Sequence, residues 1–112
     1  RRSPEGIMAT YNELAEIRQD AQFAGFLDKV RVAVVIRAVA YLNEVSPTAQ
    51  EVDWAKQAIG SPGSSANGVV WYVIGENASR TMTQIFNATD VQVQAAVDAA
   101  VPKLLLGTAP VV

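Results

Sequence analysis

Residues 21–44 read AQFAGFLDKVRVAVVIRAVAYLNE, and their periodicity decides the fold. Phe23, Leu27, Val30, Val34, Ala38, Tyr41 and Val45 recur at gaps of 4, 3, 4, 4, 3 and 4. That spacing lines up along one side of an α-helix, which turns once every ~3.6 residues. The other side carries Val32, Ile36 and Val39, so the helix is apolar on most sides. Such a helix is central in a domain or covered by another subunit. Arg31 and Arg37 interrupt the apolar surface; their long stems lie along it while the charged heads reach solvent or nearby acids.

Working outward, three Ser/Thr-x-x-Glu/Gln boxes open periodic segments: Thr10…Glu13, Thr48…Glu51 and Thr89…Gln92. In each, the hydroxyl accepts from the third amide of the helix while the third side chain returns to the cap amide. A first helix is predicted over about Thr10–Gln19, with Tyr11, Leu14, Ala15 and Ile17 on its apolar side. The central one runs over about Ala21–Glu44. Ser46-Pro47-Thr48 then stops that helix and starts another, because Pro disfavours helix for the residue before it. The third helix, about Thr48–Ile59, puts Val52, Ala55 and Ile59 on one face with Trp54 and Ala58 beside them. Gly60-Ser61-Pro62-Gly63-Ser64-Ser65 reads as a loop.

Gly68–Asn77 (GVVWYVIGEN) fits two templates. Its β-branched and aromatic residues suit a strand, while Ala66, Val69, Val70, Val73 and Ile74 suit a helix from Ser64 or Ser65 to Gly75. A short helix over Ser79–Phe86 follows, bearing Met82, Ile85 and Phe86. The last covers Thr89 to about Leu106, with Val93, Val97, Val101 and Leu104 aligned, and Pro102 kinks or ends it. The fold class is all-α: a compact bundle of five or six short helices. The alternative is α+β, with strands near 32–36 and 69–74. Residues 1–7 read as an N-terminal extension or a cloning scar, 8–107 as one helical domain, and 108–112 as a loose tail.

Composition narrows the function. The chain has 112 residues, half of them apolar, a net charge of −2, and neither His nor Cys. Without Cys there is no thiolate nucleophile, disulfide or zinc ribbon, and without His no Ser-His-Asp machinery or imidazole ligand. The chain therefore reads as a non-enzyme that needs no cofactor. Scattered charge on a weakly acidic chain gives no basic face for sequence-specific nucleic-acid binding. No apolar run approaches the ~18 residues of a membrane span, and with no secretory signal the expected site of synthesis is the cytoplasm. Asn77-Ala78-Ser79 and Asn87-Ala88-Thr89 match the glycosylation pattern, but serve better as helix punctuation.

Glu13 and Glu16 share one helix face, a spacing that can bring carboxylates together. No third ligand follows in pattern, so a metal-dependent hydrolase built on them or on Asp28 is the weakest reading. Glu51 and Asp53 fall in a first helical turn, where the macrodipole favours negative charge. The aromatic residues Phe26, Trp54, Trp71, Tyr72 and Phe86 have two readings. They fill a small core, or they form an apolar patch sealed by copies of the chain, since aromatic anchors dominate interfaces. So apolar a chain with so little interior favours homo-oligomerisation.

Several of these words occur together: Tyr11-x-Glu13; Phe26-Leu27-x-Lys29-Val30-x-Val32-Ala33; Pro47-x-Ala49; Trp54-Ala55-x-x-Ala58; the lone Trp71; Ala88-Thr89-Asp90; and Val97-Asp98-Ala99-Ala100. In that combination the chain resembles small virion structural proteins of tailed bacteriophages and prophages, over roughly Met8–Leu106. It departs from their pattern in the Gly-rich stretch Gly63–Gly68. The resemblance brings no catalytic residues. It implies a non-enzymatic component of the virion, at the head, the head–tail joint or the tail, whose partners are copies of itself and other virion proteins. The alternative function is a small regulatory protein-binding module with an apolar groove lined by Trp71, Tyr72 or Phe26.

Overall fold

A computed structural model describes residues 21–107 of the chain. The described residues form five helices and no strand: α1 Ala21–Leu42, α2 Ala49–Gly60, α3 Pro62–Glu76, α4 Met82–Phe86 and α5 Asp90–Leu105. The all-α reading holds. Both stretches that fitted a strand are helical, because each also carries its apolar residues at helical spacing and packs one face into the core: Val32–Ile36 lies inside α1 and Val69–Ile74 inside α3. The helix expected over Thr10–Gln19, its Thr10…Glu13 box, the extension expected at 1–7 and the tail expected at 108–112 lie outside the described residues.

α1 is the hub, packing against each of the other four helices, while α2 meets α3 and α3 meets α5. Its buried residues are Phe23, Phe26, Val30, Ala33, Val34, Ala38 and Tyr41. Leu27 is only half-buried, and Val45 is fully exposed because α1 ends at Leu42. Val30, Val34 and Ala38 are at 0% exposure, in one apolar cluster with Ala55, Ala58, Val70, Val97 and Val101. Interiors packed to crystal-like density leave such sites no slack.

Local chemistry sets the ends. Thr48 and Thr89 cap α2 and α5 with both arms of the box: Glu51 and Gln92 each donate a backbone N–H to the threonine Oγ1 and accept from its amide through Oε1. A third box, Thr81…Gln84, opens α4 in the same way and delays its start from the expected Ser79 to Met82.

The expected loop Gly60–Ser65 shrinks to a single residue. α2 runs through Gly60, Ser61 stands between, and α3 starts at Pro62. Pro suits a first helical position because its missing N–H would be unsatisfied there in any case and its φ is already helical. On α2, Trp54, Ala55 and Ala58 are buried while Ile59 is 43% exposed, so the inward face is rotated from the expected Val52–Ala55–Ile59 line. Pro102 does not end α5, which continues to Leu105. Gly107 follows with φ of 75°, the left-handed position at which helices commonly stop.

Candidate functional site

Four of the five aromatic candidates are core residues. Phe26, Trp54, Tyr72 and Phe86 are each less than a tenth exposed. For Phe26, Trp54 and Phe86 the placement follows from the rings finding one another. Phe23 lies edge-on to Phe86 at 5.6 Å, Phe26 is tilted against Phe86 at 5.3 Å, and Tyr41 meets Trp54 edge-to-face at 6.0 Å. Such pairs add about 0.5–1.5 kcal/mol beyond the area they bury. Trp71 alone is half-buried, stacked on Phe23 at 5.7 Å. Burial lifts the Tyr41 phenol above its ordinary value, the nearby Arg37 charge opposing; burial does the same at Tyr72, with Glu76 adding to it. Neither ring system offers an outward aromatic anchor.

The outward apolar surface is elsewhere. Val32, Ile36, Val39 and Leu42 are 61, 52, 45 and 40% exposed on the side of α1 away from the bundle. Val91, in the first turn of α5, is 79% exposed beside them. Val32, Ile36 and Val91 wall an open groove of about 540 Å³. Val32 and Ile36 form one side, Val91 the other and Ala33 the floor; Asp28, Lys29, Asp90 and Gln94 complete its lining. The apolar second side of α1 was visible in the sequence; its contribution to an open face was not, because periodicity cannot say which of two apolar sides the neighbours will cover.

A polar seam between α1 and α5 holds the groove's base. Lys29 Nζ donates to the Ala88 carbonyl at 2.9 Å, anchoring α1 to the α4–α5 junction, with Asp90 at 4.0 Å. Gln94 Nε2 donates to the Ala33 carbonyl at 3.1 Å and to Asp98 at 2.9 Å. Asp98 in turn faces Arg37 at 3.7 Å, and the Arg37 guanidinium lies over the Tyr41 ring, 4.6 Å from its centre. A cation over an aromatic face gains from the ring quadrupole. Asp28, once a candidate ligand, is instead tied to Arg31 at 2.8 Å. Glu13 and Glu16 lie outside the described residues.

Among the described residues no three acidic side chains gather as a metal site would require, and no helix is long and apolar enough to cross a membrane. What the groove can do chemically is bind: it offers branched aliphatic surface with a short charged rim. No protein-family model, curated protein or solved structure matches the chain.

Proposed function

We propose that this chain is a non-enzymatic structural component of a tailed-phage virion, working through self-association and contacts with other virion proteins. The supporting observation is the continuous face of Val32, Ile36, Val39 and Leu42 with Val91 beside it, left open by a bundle that buries its aromatics. Exposed apolar residues gathered on one face mark interaction surfaces rather than ordinary scatter. The virion setting rests on the sequence resemblance. Mass spectrometry of purified particles of the phage that encodes the chain tests it, with many copies per particle expected. Its absence from particles overturns the reading.

The groove also favours a second reading, a regulatory module that captures a partner helix. An amphipathic helix would lay its apolar side between α1 and α5. Trp71, Tyr72 and Phe26 do not line it. Co-purification of one stoichiometric non-virion partner, lost on Val91→Asp, would favour this reading over the first.

A further inference from the structure

We infer that Asn67–Gly68 on α3 is a site of spontaneous backbone modification, where the asparagine carboxamide becomes an aspartyl or isoaspartyl carboxylate when the first two turns of the helix open. The chain has asparagines at 12, 43, 67, 77 and 87, and Asn67 alone is followed by glycine. Ring closure brings the next residue's amide nitrogen onto the asparagine Cγ, and a glycine there removes the Cβ that crowds the approach. Asn67 and Gly68 are both exposed, and nothing lies within 4 Å of where a Gly68 Cβ would stand.

The helix holds the reaction back. A helical ψ of about −42° turns the Gly68 nitrogen away from the Asn67 side chain, which itself leans toward the start of the helix. The Gly68 N–H is also engaged with the carbonyl four residues earlier, as in any α-helix. Reaction therefore waits on local opening, and this end of α3 is built to open. α2, α4 and α5 each start on a full threonine box, whereas Ser61 gives α3 no side-chain cap and no acid stands in its first turn. Glycine is the poorest helix former after proline, and two stand here, at 63 and 68. From Pro62 to Gly68 only Ala66 is buried, while Val69, Val70, Tyr72, Val73 and Ile74 anchor the rest of the helix in the core. Fraying stops where that burial begins, next to the reacting pair.

On opening, the Gly68 nitrogen gives its proton to water and bonds to Asn67 Cγ, and the bond from Cγ to the side-chain nitrogen breaks to release ammonia. Water then adds at either carbonyl of the succinimide ring. Addition at Cγ leaves aspartate, and addition at the main-chain carbonyl leaves isoaspartate, with the chain running through the former side chain. The sum is one water consumed and one ammonia released. Either product puts a negative charge into residues 57–75, a stretch with no Asp, Glu, Lys or Arg. Isoaspartate also adds a methylene to the main chain, which breaks the register of the helical hydrogen bonds and keeps the first turns from re-forming.

The full chain is aged at neutral to mildly alkaline pH, folded and in urea, and mapped by peptide mass spectrometry, with isoaspartate read by enzymatic methylation of its carboxylate. The mass gain of an amide turned acid is expected at Asn67 in the folded chain, and faster in urea, where no helix delays it. Gly63→Ala separates the gate from the chemistry. It leaves Asn67 and Gly68 untouched, and its methyl would stand 3.8 Å from Arg31 Nε, an ordinary contact. It should slow the folded reaction by roughly two- to fivefold, the change in opening that alanine for glycine brings, and leave the urea rate unchanged. Gly68→Ala should suppress the reaction in both conditions. A folded chain that ages without the change at Asn67, or another asparagine that reacts first, overturns the proposal. Equal rates folded and in urea, or a folded rate indifferent to Gly63→Ala, overturn it as well, because the opening of α3 then controls nothing.

Discussion

Val32 and Val34 are two residues apart on α1 and of the same type, yet one is 61% exposed and the other fully buried. Changing each to Asp therefore separates the core from the outer face with a single chemistry. At Val34 the carboxylate enters an interior where no described polar side chain is buried to receive it. An uncompensated buried charge costs about 3–5 kcal/mol, added to the loss of the valine's packing. A fold of this size is held by about 5–10 kcal/mol, so Val34→Asp should leave little or no folded protein. Val34→Ala gives a measurable counterpart. Two methyl groups at ~0.8 kcal/mol each, with the cavity they leave, make about 2–3 kcal/mol, a fall in Tm of about 10–20 °C. Val32→Asp should cost the isolated monomer under about 1 kcal/mol. Far-UV circular dichroism melts at low protein concentration read all three, since dilution keeps self-association out of the Tm. A Val34→Asp protein melting with the parent would refute this placement of the core. A Val32→Asp protein that fails to fold would refute the outer face.

Removing a cap tests whether α5 depends on its first turn: Thr89→Ala should cost about 1 kcal/mol, with Thr89→Ser recovering most of it, as read by urea denaturation. Phe86 bridges Phe23 and Phe26, so Phe86→Ala should destabilise by about 3–5 kcal/mol and alter the fluorescence of Trp71, which stacks on Phe23. The tyrosines set an alkaline limit. Tyr41 and Tyr72 bind their protons more tightly folded than unfolded, so their contribution is complete below the ordinary phenol pKa of about 10. It is lost as pH climbs from there through the raised folded values, because the unfolded chain ionises first. Tyrosinate absorbance should rise together with loss of helix; two phenols titrating normally in a folded chain would count against their burial.

Much of the fold was legible because it is written locally. Thr48 and Thr89 announce their helices by a hydroxyl paired with the Glu51 carboxylate or the Gln92 carboxamide, chemistry that needs no tertiary partner, and α1 announces itself by spacing. Where the sequence misleads or leaves two readings open, the cause is physical. Gly60–Ser65 reads as a loop because Gly, Ser and Pro punctuate chains, whereas here Pro62 begins a helix. Val69–Ile74 satisfied two periods, and packing against α1 and α5 decided for the helix. The candidate site was less legible. Phe26, Trp54, Tyr72 and Phe86 suit a core and an interface alike; all four are buried in the chain's own core, and size alone does not say whether a partner is in the same molecule. Val32 and Ile36 read in the sequence as the second side of a covered helix, and nothing in the periodicity of α5 singles out Val91.

Ser61 is held on both sides, its N–H on the Gln57 carbonyl and its carbonyl receiving the Ser65 N–H. α2 and α3 therefore meet at a stiff elbow with no slack between them. A protease, which must seat several residues in extended form, finds no foothold there and is directed to 43–48 or 77–81 instead. Nicking at those two places would release the elbow whole, as one fragment carrying both tryptophans, and an inserted residue at Ser61 would swing one arm off the hub.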